Sequence, residues 1–392
     1  MRTYFLSLIL LLFVTQVSVA QGVHFEKGNW AAIQAKAKTE NKFIFVDAVT
    51  ATCGPCIWMA KKVFPKQEVG AFFNKHFINY KFDMEKGEGV AFAKKYNVQG
   101  FPTLLYFTPE GKLVHRNLGA LTDTDLLREG QNATNPKKQY YTLRQQYDAG
   151  KLNTSLMKNY IIALAWSGAA DLEPKYFNQV VDTYLNKLGE ATWATKTHWK
   201  FIKQYLVNIN SKAFAYIVAH PQKFAQLGKP GELNQYIIKV VGVSIYQVVR
   251  SKKKDKLKNY QAHLKKIFAD KASPYIAEVT YKYYQRRKKA TFAQARAYFD
   301  QYCEDAYELA DGAKDVATKF DTKDKLEVAL DWVNKSIKLE ANATNTEVKG
   351  RILYKLKRYP EAKAMIKQAI LLAQKEKVDD SLLMKFLMEM KD

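Results

Sequence analysis

Cys53 and Cys56 are the residues of this chain whose type and spacing could do chemistry, in Thr50-Ala-Thr-Cys53-Gly54-Pro55-Cys56-Ile57-Trp58-Met59. Two thiols separated by two residues can close into a small disulfide and reopen. The small polar run before Cys53 and the apolar run after it predict a helix starting there. Pro55 then sits early enough that its missing N–H costs nothing. Unpaired backbone N–H groups and the positive end of the helix dipole favour thiolate over thiol, and thiolate is the attacking species in disulfide exchange. Cys53 is therefore the candidate nucleophile, and Cys56, one turn inside the helix, the candidate resolving thiol. Zinc ligation lacks partners: the third cysteine is Cys303, and the six histidines (24, 76, 115, 198, 220, 263) show no paired spacing. A purely structural disulfide would close too short a loop to gain much chain entropy. No metal is expected, and no cofactor beyond the redox pair itself.

The flanking segments must position these thiols. Lys42-Phe-Ile-Phe-Val-Asp47 reads as a buried strand that delivers an acidic residue six positions before Cys53. Gly100-Phe101-Pro102-Thr103-Leu-Leu-Tyr-Phe107 reads as a proline opening a second apolar strand. Around them the pattern predicts a short edge strand at 23–25 and a helix from an Asn29 cap to about Lys38. Pro65 ends or kinks the reactive helix, a further helix covers Gln67 to Lys75, and a strand runs from His76 to Asp83. A helix from Glu88 to Tyr96 follows. The turn Thr108-Pro109-Glu110-Gly111 joins the strand ending at Phe107 to one at Lys112–Asn117, and Thr122 starts a closing helix to about Glu129. This βαβαβαββα order suits a mixed sheet covered by helices on both faces.

With Cys53-Gly54-Pro55-Cys56, Asp47 and Phe101-Pro102-Thr103 in place, residues of about 24 to 130 resemble the thioredoxin family, and the stretch Met59 to Asp83, with Val63-Phe64, Val69 and Phe77, resembles its bacterial-envelope members more than cytosolic thioredoxin. The resemblance implies an α/β thioredoxin fold. It also implies that Asp47 lies buried beneath the resolving cysteine and helps move its proton. Pro102 would be cis and face the disulfide, the Phe101 backbone would pair with an extended client, and Thr52 would be a client-facing position. Two departures stand out. Thr52 precedes the first cysteine where thioredoxin usually has Trp, and Asn79 stands where a lysine often neighbours the buried acid, if Asp83 aligns with the acidic end of that strand.

Met1-Arg2, the apolar run from Tyr4 to about Val14 and the small residues Ser18-Val19-Ala20 before Gln21 read as a secretory signal over 1–20. The expected address is outside the cytoplasm, in the periplasm, with no membrane span after cleavage. Three cysteines in 392 residues make disulfides a poor scaffold, so one close pair in an exported chain points to work on other proteins' disulfides. Cys303 reads as a small buried residue on a helix, the alternative being a reactive thiol. The formal net charge of +24 is uneven: residues 21–130 carry 15 basic against 11 acidic residues, those after 130 carry 46 against 27. Export argues against nucleic acid, so a target for this charge would be acidic clients or an anionic membrane face.

The expected domains are a thioredoxin-like domain at 21–130, a polar linker at 131–138, a helical domain at 139–320 and helical repeats at 321–392. Amphipathic helices are predicted at 155–167, 173–188, 192–207, 232–250, 255–269, 274–286 and 292–309, with Trp166, Tyr184, Trp199, Tyr205 and Tyr246 packing between them. Ala329, Val333, Ser336, Ile337 and Leu339 recur 33 positions later as Ala362, Ile366, Ala369, Ile370 and Leu372. Together with Gly350 and Leu353, this resembles degenerate tetratricopeptide repeats over about 324–376, a family that binds partner peptides or mediates assembly.

The expected function is an exported thiol–disulfide oxidoreductase acting on client proteins in the reducing direction. Its electron donor would reach across the inner membrane. The alternative is a non-catalytic adaptor that uses both modules for protein binding.

Overall fold

In the computed structural model, which describes residues 22–251 and 253–390, a four-stranded sheet has the order β2-β1-β3-β4. The segment 1–20 expected to be a signal lies outside the described residues. Strand β1 (Phe43–Val49) runs parallel to β2 (Phe77–Asp83) and antiparallel to β3 (Thr103–Phe107), which pairs antiparallel with β4 (Leu113–Leu118). Every residue of β1 after Phe43 is buried, as a central strand covered on both faces requires. Helices α1 (Trp30–Glu40), α2 (Gly54–Lys62), α3 (Gln67–His76), α4 (Glu88–Lys95) and α5 (Asp123–Ala133) flank the sheet.

The alternation of strand side chains splits the core in two. Ile44, Val46 and Ala48 pack with Ile33 and Ala37 of α1 and Phe92 of α4. Phe45 packs with Met59 of α2, Val63 just beyond its end, Phe73 of α3 and Leu126 of α5. The mixed sheet between helical layers agrees with the fold implied by the resemblance. Asn29 caps α1 by accepting the Ala32 N–H, and Thr122 caps α5 by accepting that of Asp125. The expected edge strand at 23–25 is a single parallel bridge, Phe25 to Asn79.

Helix α5 runs to Ala133, inside the segment read as a linker, and 134–139 form a tight turn in which the Gln139 side chain donates to the Ala133 carbonyl at 2.8 Å. Helices α6 (Tyr140–Asp148) and α7 (Thr154–Trp166) then pack against β4. The chain divides into two units after Leu206 rather than at 131–138, so the helices following the turn share a unit with the sheet.

The second unit is all helical. Two runs read as single helices are broken: 192–207 becomes Glu190–Trp193 and Lys196–Tyr205 in the first unit, and 292–309 becomes Phe292–Phe299 and Ala306–Lys319 in the second. Both breaks are helix starts hidden by continuous apolar periodicity. Thr195 accepts the His198 N–H and Asp305 that of Glu308, each as an N-cap. Cys303 therefore lies in the turn between two helices, not on a helix. It is buried, and burial pushes its thiol above the ordinary range. Trp166, Tyr184, Trp199 and Tyr205 pack inward, whereas Tyr246 is exposed and lies under the Arg250 guanidinium.

The 33-residue repeat falls on the helices Lys323–Leu339 and Tyr359–Glu376. Ala329, Val333 and Ser336 are completely buried, and so are their counterparts Ala362, Ile366 and Ala369. Gly350 on the helix between them has no room for a side chain, since a Cβ there would stand 2.6 Å from Ile366 Cδ1. Leu339 departs from this pattern by being half exposed.

Candidate redox site

Strand β1 ends at Val49, a short turn follows, and Cys53 becomes the N-cap of α2. Its Sγ accepts the Cys56 backbone N–H at 3.1 Å, so the sulfur sits where an N-capping oxygen would. The two cysteines form a disulfide with a Cα–Cα distance of 5.3 Å. Cys53 is partly exposed and Cys56 buried, which makes Cys53 the sulfur that a partner can reach. Thr52, Gly54 and Pro55 are exposed beside it, as are Ile57 and Trp58 on the first turn of α2. Lys61 and Lys62 lie in its last turn, where cations suit the helix dipole.

Asp47 shares the Phe45 face of β1, the face that α2 covers, and is 1% exposed. Neither carboxyl oxygen has a hydrogen-bond partner. Burial pushes its pKa up to about 7 from an ordinary 3.8, against a smaller opposing pull from the Lys81 ammonium. A carboxyl that titrates near neutrality can take and return a proton at physiological pH. The Phe101–Pro102 peptide is cis, and the β1–β3 register pairs Ala48 with Thr103, which brings Pro102 alongside the end of the strand leading to Cys53. Phe101 is partly buried and Pro102 buried.

Asn79 does not occupy the place by the acid that the alignment on Asp83 suggested. The β1–β2 register sets Asp47 opposite Lys81, and Asn79 opposite Phe45. Asn79 instead holds the leading segment: its side chain donates to the His24 carbonyl at 3.1 Å, and its carbonyl accepts Glu26 N–H at 2.8 Å. Counting along the strand puts Lys81 on one face with Phe77 and Asn79, but which of them meets Asp47 is set by the β1–β2 register.

A second polar group in this half of the core was not foreseen. Glu129 of α5 is buried and accepts from His115 Nε2 at 3.0 Å, Asn117 Nδ2 at 2.9 Å, Arg128 Nε at 2.9 Å and Asn132 Nδ2 at 3.2 Å. Burial alone would raise its pKa, but these donors, His115 foremost, hold it below the usual value. His115 Nδ1 accepts the Tyr140 N–H at 3.0 Å, which fixes the ring proton on Nε2 and ties the start of α6 to β4. Among the described residues no group of three or more His, Cys, Asp or Glu is placed to hold a metal ion.

A family model described as a thioredoxin-like domain matches residues 29–134. The chain is 36% identical over 84 residues to Thioredoxin-2 of Pyricularia oryzae, an alignment covering 21% of this chain and 45% of that protein, so it spans less than half the length of this curated relative. Among solved structures, a candidate disulphide-isomerase from Bacteroides thetaiotaomicron shares 41% identity, over 29% of this chain and 95% of that one, with a TM-score of 0.28. A thioredoxin from Thermus thermophilus shares 20% identity, over 29% and 88% of the two chains, with a TM-score of 0.27. A closed Cys53–Cys56 pair in such a domain supports thiol–disulfide oxidoreductase chemistry at the level of the family. Residues 29–134 of this chain are a domain of the thioredoxin family.

Proposed function

We propose that this chain is an exported, periplasmic thiol–disulfide oxidoreductase that reduces disulfides in client proteins. The observation that carries the reading is the division of labour within the pair, with Cys53 partly exposed at the start of α2 and Cys56 buried one turn behind it, together with a buried carboxyl at Asp47, titrating near neutrality, on the face of β1 that α2 covers. In the reduced enzyme the Cys53 thiolate attacks a client disulfide, forming a mixed disulfide and releasing one client thiolate. Cys56 then gives its proton to ionised Asp47 and attacks the Cys53 sulfur. The Cys53–Cys56 bond forms as the Cys53–client bond breaks, and the client leaves as a second thiolate. Client backbone would lie along Phe101 and Pro102 and against Thr52. A dithiol donor fed from across the inner membrane would regenerate the enzyme. The helical region would recruit partners, with tetratricopeptide-like repeats over 324–376 as the peptide-binding part.

Insulin reduction by the wild type, Cys53→Ser and Cys56→Ser tests this reading. Turnover by the wild type alone supports it. A wild type that reduces nothing while retaining a bound partner would favour the adaptor, a reading supported by the exposed apolar side chains of Leu371, Met384 and Met388 on the last two helices.

A further inference from the structure

Tyr106 on β3 is completely buried, and its hydroxyl has no hydrogen-bond partner. The β1–β3 register sets Tyr106 opposite Phe45 and Leu104 opposite Asp47, so Tyr106 and Asp47 are diagonal neighbours on the same face of the sheet. Both Asp47 oxygens are unpartnered too. Unpaired polar atoms in a dry core cost about 1–3 kcal/mol each. A core that needed only packing would be served by Phe at 106, because the ring is already wedged between Phe45, at a centroid distance of 5.3 Å, and His115, at 5.4 Å.

The hydroxyl lies in the fields of two carboxyls. Burial, then Glu129, then Asp47 hold its proton well above the ordinary tyrosine range, so it is a permanent donor. Glu129 already accepts from four side chains, whereas Asp47 accepts from none. Across the sheet Asp47 is paired with Lys81 of β2, exposed and screened, and has Tyr106 of β3 as its diagonal neighbour, while α2, whose Cys56 is closed in the disulfide, covers the same face. Glu129 of α5 stands on the β4 side of Tyr106, where it bonds His115.

We propose that Tyr106 is a positioning residue for the exchange reaction: its O–H turns toward the Asp47 carboxylate while that group is ionised and is released when Asp47 takes the Cys56 proton. The inference rests on the reading of Asp47 as proton acceptor given above. In a low-dielectric interior an oriented O–H dipole acts on a neighbouring charge without direct contact. It would set the pH at which Asp47 is ready to accept.

The test is the titration of Asp47 in the oxidised full chain, followed by the carboxyl carbon signal of labelled aspartate in the wild type and in Tyr106→Phe. The expected result is an Asp47 midpoint higher by about half to one pH unit in the variant, a threefold to tenfold gain in proton affinity. The pH–rate profile of insulin reduction should move the same way. At pH 5, where Asp47 is protonated and only an unpartnered hydroxyl is lost, the thermal midpoint should hold or rise. Combining Asp47→Asn with Tyr106→Phe should abolish the shift in the rate profile. An unmoved Asp47 midpoint overturns the proposal whatever the activity, and a moved midpoint with an unmoved rate profile overturns the role in the reaction. A wild type inactive on insulin sinks the proposed function, while the titration still reports on Tyr106 directly.

Discussion

Replacing Asp47 by asparagine should change stability in a way that depends on pH. The folded domain raises this carboxyl from 3.8 to about 7. The folded state thus holds the proton more tightly than the unfolded chain, and the stability this confers is present below pH 4. It is lost as the pH rises from about 4 to about 7, because the unfolded carboxyl ionises first, and is then constant above 7. A shift of about three units at roughly 1.4 kcal/mol each sets the upper size of the effect near 4 kcal/mol. Asp47→Asn should therefore match the wild type at pH 4 and exceed it at pH 8 by up to about 4 kcal/mol. Because the chain has two units, hydrogen exchange of the β1 and β3 amides in increasing urea measures the relevant domain better than a global unfolding curve. A difference independent of pH, or an asparagine variant less stable at pH 8, would refute the argument.

The same substitution should slow resolution of the mixed disulfide about 100-fold at neutral pH and flatten its pH dependence, which stopped-flow single turnover reads directly. Glu129→Gln weakens acceptance from His115 and Arg128 at a buried site and should cost about 1–3 kcal/mol in the amide-exchange measurement. Gly350→Ala drives a methyl into Ile366 and should cost about 1–3 kcal/mol in the second unit, partly recovered by adding Ile366→Val. Cys303 is buried and should resist maleimide in the folded protein yet label fully in denaturant; ready labelling of the native chain would contradict the packing seen around it.

The site was legible where local chemistry announces itself. Cys53 reads as a helix start because a small polar run precedes an apolar one, and Asp47 stands out as the acid in an otherwise apolar strand. What depends on pairing was not legible. Lys81 rather than Asn79 faces Asp47 because of the β1–β2 register, which no local pattern states. Glu129 and His115 look like ordinary surface residues until β4, α5 and α6 meet over them. In the helical part the type of structure was plain, and Glu232–Arg250 has the bounds its pattern predicts. Breaks at Thr195 and Asp305 were masked because the apolar spacing continues through the caps. The segment read as a linker is polar because it turns at the surface, and the contacts that keep α6 and α7 on β4 are made by residues outside it.

Alkylation of the reduced full chain with iodoacetamide across pH 5–10, quantified separately at positions 53 and 56 by peptide mass spectrometry, tests the central claim most directly. Cys53 should react well ahead of Cys56, with its midpoint drawn from about 8.5 toward about 7 by the start of α2. If Cys53 reacts no faster at neutral pH than the same thiol in the unfolded chain, the helix start does not activate it and the redox account is contradicted.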